Sequence, residues 1–290
     1  YASSDQRCLV MDGKLVAFAP AGLTTYTIPD GVTTIGKRAF SSCSSLTSIT
    51  IPDGVTTIGS YAFFSCRSLT SITLPESLTT IGEMAFYGCE RLTSITIPDG
   101  VTTIGIRAFY SCSSLTSFVG KYTSSDQRCL VMDGKLMAFA PAGLTTYTIP
   151  DGVTTIGSYA FQLCSSLTSI TIPDGVTTIG NGAFSSCRSL TSITLSESLT
   201  TIGEMAFYGC ERLTSITIPD GVTTIGIRAF YSCSSLTNVY SKPTTPPTFG
   251  ASVFSNSPVA AIHVPQASVD AYKAASGWSD YASKIAGYDF

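Results

Sequence analysis

Charge is scarce in this sequence. Of 290 residues only 12% are Asp, Glu, Lys or Arg, 19 acidic against 16 basic, for a formal net charge of -3. That balance supplies no basic stripe for a phosphate backbone, which excludes nucleic acid as a partner. A single His, His263, stands with no nucleophile or second acid at a useful spacing, so no triad can be assembled and it reads as a surface or core histidine. The glycines never form G-x-G-x-x-G after a strand or a Walker loop, and no cysteines pair at C-x2-4-C, which removes nucleotide and zinc sites. Although 44% of the residues are hydrophobic, no run approaches the roughly 18 a membrane span needs. The expectation is a chain without catalytic residues, cofactor, metal or membrane span. It opens at Tyr1 with no initiator Met, basic segment or apolar segment, so any secretory leader is expected to have been removed.

What the sequence does contain is repetition. Leu46, Leu69, Leu92 and Leu115 are spaced by 23, as are Leu167, Leu190, Leu213 and Leu236, and Leu23 and Leu144 keep the same frame, giving ten coils. A longer period lies over the first: residues 3–36 recur at 124–157, with Val16 replaced by Met137 as the only change. Within one coil Leu46, Ile49 and Ile51 alternate like a half-buried strand over 47–51. Pro52-Asp53-Gly54 stops that strand by turn chemistry, and Val55 to Ile58 makes a second extended piece. The following Ser-Tyr-Ala-Phe-Phe-Ser-Cys is too short for an independent helix and reads as a single helical or 3-10 turn. No coil buries its apolar side alone, but stacking at about 4.8 Å per strand sets each Leu, Ile and Phe on its counterpart.

Two departures interrupt the array. Residues 7–19 and 128–140 each hold an Asp-Gly pair between alternating apolar runs, a hairpin signal. The first would cover the opening coil; the second reads as a tolerated insertion on the convex side, or as a bend or local binding feature. After Leu236 the pattern decays through a Pro-rich segment, residues 261–265 supply one last strand-like run, and a helix is expected from Ser268 as N-cap, with Val269, Tyr272 and Ala275 on one face and Trp278, Tyr281 and Ile285 extending it.

The consensus Leu-x-x-Ile-x-Ile-Pro-x-x-Val-x-x-Ile-Gly-x-x-Ala-Phe-x-x-Cys-x-x-Leu, read at 46–69 and again at 69–92 with Leu for Ile and Glu for Asp, resembles the BspA-like, or Treponema-type, class of leucine-rich repeats over about 240 residues. The resemblance implies a right-handed curved repeat solenoid, β-rich with short helical or 3-10 turns and a C-terminal helical cap. On that reading residues 1–121 are a first block with its hairpin, 122–241 a second block with an internal hairpin, and 242–290 the cap, all in one continuous solenoid. It further implies a secreted or cell-surface protein of host-associated bacteria linked to adhesion, with a protein or surface polymer as partner and a monomer as the expected state.

Eight cysteines, Cys43, Cys66, Cys89, Cys112, Cys164, Cys187, Cys210 and Cys233, share one coil position. Stacked side chains with parallel Cα–Cβ vectors suit the roughly 90° disulfide dihedral poorly, so they read as a structural ladder of buried thiols; Cys8 and Cys129, one per hairpin, are expected to be thiols too. Asp30, Asp53, Glu76, Asp99, Asp151, Asp174, Glu197 and Asp220 form an acidic column that turn chemistry explains without calcium.

The candidate binding surface is a hydroxyl ladder that alternation turns outward on the concave face: Ser48, Thr50, Ser71, Thr73, Ser94 and Thr96 in the first block, Ser169, Thr171, Ser192, Thr194, Ser215 and Thr217 in the second. Most differences between the blocks fall just after Ile-Gly or Ala-Phe, as at Lys37 against Ser158 and Ser42 against Leu163. That turn side is either free to drift or carries contacts through Tyr87, Tyr110, Tyr208 and Tyr231. Three functions follow as expectations: an adhesin or protein-binding scaffold first, a spacer projecting other domains second, and a glycan-binding module third, the last disfavoured because few aromatic residues line the concave face.

Overall fold

A computed structural model describes residues 2–290. The chain divides into two compact units, Tyr1–Met132 with Met137–Gly143, and Asp133–Leu136 with Leu144–Phe290.

The first unit is a solenoid with two parallel ladders. Its main strands, Thr25–Thr27, Ser48–Thr50, Ser71–Thr73, Ser94–Thr96 and Ser117–Val119, each place one apolar side chain inward between two outward ones, which are Ser or Thr except for the exposed Val119. Tyr26, Ile49 and Ile72 pair in register, as do Ile95 and Phe118. A one-residue slip would turn every one of these outward, so a strict 23-residue repeat of an alternating triplet sets the register. The short strands Thr34–Ile35, Thr57–Ile58, Thr80–Ile81 and Thr103–Ile104 make the second ladder.

The second unit repeats this plan and extends it. Main strands Thr146–Thr148, Ser169–Thr171, Ser192–Thr194 and Ser215–Ile218 are followed by Asn238–Ser241, Ala261–Pro265 and Ile285–Tyr288. The last three continue the same ladder, pairing Ile216 with Val239, Val239 with Ile262 and Ile262 with Ile285. Among the described residues the main strands of the two units therefore number twelve. The segment after Leu236 does not decay: Phe249-Gly250 replaces Ile-Gly, Val253-Phe254 replaces Ala-Phe, and the Pro-rich connection holds one extra residue.

Between the last two rungs lie a 3-10 turn at Gln266–Ser268, a helix at Val269–Ala274 and a 3-10 helix at Trp278–Lys284. Tyr272 and Trp278 are fully buried. Ser268 occupies the N-cap position without capping, because its hydroxyl donates instead to the Thr244 carbonyl at 2.8 Å. Among the described residues no helix is long and apolar enough to cross a membrane.

Behind the ladders, the arc from Gly59 to Leu69 keeps the hydrogen bonds of a 3-10 turn but not its conformation. The amides of Ala62, Phe64 and Cys66 donate to the carbonyls of Gly59, Tyr61 and Phe63, while Tyr61 and Ser65 sit at φ 61° and 56°. These left-handed residues turn the alternate amides along the solenoid, so Tyr61, Phe63 and Ser65 donate to the carbonyls of Glu83, Ala85 and Tyr87 in the next coil. A right-handed helical turn would aim every amide back into its own coil and leave neighbouring arcs unconnected. A left-handed non-glycine residue costs roughly 1–2 kcal/mol, and the inter-coil bonds offset that. Gly88 and Gly209 stand where Ser65 does, at φ 70° and 66°.

Coil contact is close enough to select the glycine of each Ile-Gly. A Cβ on Gly82 would lie 2.5 Å from the Ser60 amide nitrogen and 2.7 Å from the Gly59 carbonyl carbon. Deeper in, phenylalanines stack down each unit, with ring centroids 5.3 Å apart for Phe63 and Phe86 and 5.1 Å for Phe207 and Phe230. Phe254 prolongs the second stack at 5.7 Å from Phe230.

The first hairpin forms as its Asp-Gly requires: Asp12 and Gly13 both take positive φ, 47° and 72°, between Cys8–Met11 and Lys14–Phe18. Asp133 and Gly134 repeat the pair at 49° and 73°. The second is not an insertion on the convex side, and the first covers the opening coil as expected. Leu15 pairs with Ile35, and Leu136 with Ile156, so the strand after each Asp-Gly is itself a rung of the short-strand ladder.

Candidate functional site

Every residue of the hydroxyl ladder lies where alternation put it. Ser48 and Ser169 are half-buried, and Thr50, Ser71, Thr73, Ser94, Thr96, Thr171, Ser192, Thr194, Ser215 and Thr217 are exposed. In-register pairing sets Ser48 beside Ser71 and Thr50 beside Thr73 in the first unit, and Ser169 beside Ser192 and Thr171 beside Thr194 in the second. The result, in each unit, is an uncharged face of short hydrogen-bonding groups that need no counter-ion.

At the start of the first unit this face opens into a cleft of about 670 Å³, lined by Asp5, Arg7, Leu23, Tyr26 and the hydroxyls of Thr25, Thr27, Ser48 and Thr50. Hydrogen bonds from the Ser3 hydroxyl and the Arg7 amide hold the Asp5 carboxyl below its ordinary range. Beneath it the Tyr26 hydroxyl and Cys8 thiol meet at 3.0 Å.

The far end of the second unit changes character. Thr217 pairs with Tyr240, Tyr240 with His263, and the following rung brings Tyr288 beside Pro265. Ladder register thus replaces outward threonines by a cluster in which His263 lies nearly parallel to Tyr240 at 4.5 Å and meets Tyr288 edge-on at 5.3 Å. Phe290 packs edge-on against Tyr288, which is 44% exposed, and is itself 53% exposed. The expectation of few aromatics on this face is overturned here. The signal was present in the sequence, because Thr217, Tyr240 and His263 are spaced by 23, but it was hidden by the loss of the leucine frame after Leu236.

The opposite, turn-lined side carries stacks of its own. In the first unit Phe64 stacks on Tyr87 at 4.6 Å and Tyr87 meets Tyr110 at a tilt at 4.7 Å, and in the second Tyr208 stacks on Tyr231 at 5.3 Å, with the guanidinium of Arg107 over Tyr110 and that of Arg228 over Tyr231. These tyrosines are half-buried against one another.

All ten cysteines are buried and reduced. Cys66, Cys89, Cys112, Cys187, Cys210 and Cys233 each donate Sγ–H to the phenylalanine carbonyl of the preceding coil at 3.0 to 3.3 Å, from Phe40 for Cys66 to Phe207 for Cys233. The position calls for a small, largely apolar side chain with one donor. Ser257 takes it over in the next coil, donating to the Phe230 carbonyl at 2.7 Å. Burial pushes the thiols of Cys112, Cys187 and Cys233 up to about 12, against the opposing hydrogen bond each accepts from backbone. A thiol so protonated is a poor nucleophile.

The acidic column stays exposed beside the Pro-Asp-Gly turns, with Glu197 ion-paired to Lys242 at 2.8 Å. Among the described residues no three His, Cys, Asp or Glu side chains converge as a metal site would require.

The sequence profile of the BspA type leucine rich repeat region matches residues 15–127 and 135–270, in six copies. No curated protein matches the chain. Among solved structures, a leucine rich cell surface protein from Faecalibacterium prausnitzii is 29% identical, with 92% of this chain and 83% of that one aligned and a TM-score of 0.64. The pneumococcal vaccine antigen PcpA shares the fold at 21% identity, 99% and 80% coverage and a TM-score of 0.64. A leucine-rich repeat protein from Eubacterium ventriosum does so at 22% identity, 86% and 91% coverage and a TM-score of 0.58.

Proposed function

The chain belongs to the BspA type leucine rich repeat family, and from that premise we propose that it is a non-catalytic bacterial surface protein that binds a protein partner through its hydroxyl face. The observation that carries this reading is the aromatic end of that face in the second unit. Tyr240, His263, Tyr288 and Phe290 form one cluster, with Tyr288 and Phe290 exposed, next to the outward Thr217. Binding energy concentrates in a few aromatic anchors, while surrounding polar groups contribute complementarity more than affinity. Uncharged Ser and Thr beside an amphipathic aromatic cluster match that division. Surface location is supported by the Faecalibacterium relative, described as a cell surface protein. A spacer role would leave the cluster without use.

The test is capture from host matrix proteins and bacterial surface extracts by the intact chain, compared with a Tyr288→Ala, Phe290→Ala variant. The expected result is a saturable protein ligand whose affinity falls at least about tenfold in the variant, since a hot-spot aromatic carries about 2 kcal/mol or more. Equal capture by both chains would remove the cluster from the function, and saturable binding to a polysaccharide array with none to protein would replace the partner by a glycan.

A further inference from the structure

The duplication supplies an internal comparison. Residues 3–36 and 124–157 differ only at Val16 and Met137, yet the outer faces of the two hairpin segments are not equally covered. In the internal copy Leu130 and Ala140 are 0% exposed and Ala138 8%, all within the core of the first unit, and Met132 is half-buried against it. Their twins at the start of the chain, Leu9 at 46% and Met11 at 57%, are exposed, as are Ala17 and Ala19. Identical side chains cannot differ in their own preference for water; what differs is the neighbour.

That neighbour is the coil segment from Leu115 to Tyr122. Leu115 and Phe118 are 0% exposed in the same core, and Tyr122 packs on its edge. The Phe118 amide donates to the Gln127 carbonyl at 2.7 Å, and the Ala142 amide donates to the Leu115 carbonyl at 3.1 Å. Among the described residues the equivalent groups of the first copy, the Gln6 carbonyl and the Ala21 amide, make no backbone hydrogen bond. An apolar face flanked by one open acceptor and one open donor, on an edge hairpin, is an incomplete surface of a kind proteins normally cover.

We infer that the outer face of the N-terminal hairpin is a docking surface for one more coil of this same repeat, delivered in cis as Leu115–Tyr122 is delivered to the duplicate. The required chemistry is specific. An aromatic at the Phe118 position covers Leu9 and Met11, its amide reaches the Gln6 carbonyl, and a leucine carbonyl three residues earlier accepts from Ala21.

The experiment compares the 290-residue chain with a chain carrying a copy of residues 2–121 fused ahead of Tyr1, so that the junction reads Gly-Lys-Tyr as it does at 120–122. Hydrogen exchange at the Ala21 amide should slow at least about tenfold in the fused chain. Leu9→Asp with Met11→Asp should leave the melting temperature of the original chain within about 1 °C, because both sites are exposed, and should abolish the Ala21 protection in the fused one. An Ala21 amide that exchanges equally in both chains overturns the inference, as does a double substitution that is neutral in both. Concentration-dependent dimerisation of the original chain that the double substitution abolishes would assign the face to a second copy and overturn delivery in cis.

Discussion

Raising the pH from 8 to 10 should destabilise the solenoid through its buried thiols. Burial raises Cys187 and Cys233, both in the second unit, from an ordinary 9.0 to about 12. Unfolded, each ionises near 9 and gains about 1.4 kcal/mol between pH 8 and pH 10; folded, each keeps its proton until near 12. Because the folded value is the higher one, this contribution is fully present below about 9 and is lost as pH rises toward 12. Two thiols remove about 3 kcal/mol from the second unit by pH 10, and Cys210, held well above its ordinary value by burial, acts in the same direction. Trp278, the only tryptophan and fully buried in this unit, reports the transition by fluorescence. In urea with reductant present, the midpoint should fall by about 1 M or more across this range. A Cys187→Ala, Cys233→Ala variant should show a clearly shallower dependence whatever its absolute stability. A flat midpoint from pH 8 to 10, or an unchanged slope in the variant, would refute the argument.

Three further outcomes are expected. Thiol titration of the native chain at neutral pH should find almost no fast-reacting group, and titration in denaturant without reductant should approach ten, because all ten cysteines are buried and reduced. Gly82→Ala should destabilise strongly, since its Cβ meets the Ser60 backbone at 2.5 Å, whereas Gly54→Ala, whose nearest neighbour is the Val32 carbonyl at 3.7 Å, should be tolerated; thermal melts of the two decide it. Phe207→Ala, which removes a ring stacked at 5.3 and 5.1 Å from its neighbours, should cost about 3–5 kcal/mol. By comparison, Arg188→Ala, which breaks an exposed pair with Glu211 at 3.3 Å, should cost less than about 1 kcal/mol in the same urea assay.

Much of this protein was legible because its repeat is short and strict. A triplet such as Ser48-Ile49-Thr50 recurring every 23 residues leaves one register in which all apolar members face one core. Inside and outside, the strand ladders, the thiol column and the outward hydroxyls therefore followed from spacing and alternation alone. The Asp-Gly hairpin was equally local, since both central residues need positive φ and that pair supplies them.

Tertiary structure decided what depends on the neighbouring coil. The arc at Gly59–Leu69 adopts left-handed residues because alternate amides find carbonyls in the next coil, a partner that composition within the arc does not reveal. The last two rungs were obscured by an extra residue and a helix, and only pairing with Val239 and then Ile262 showed that Ile262 and Ile285 continue the ladder and that Tyr240 and His263 join the hydroxyl face. The two hairpin segments make the limit plainest. Leu9 and Leu130 sit in the same sequence, one exposed and one buried, because sequence sets what a face prefers, and the coil stacked against it sets whether that preference is met.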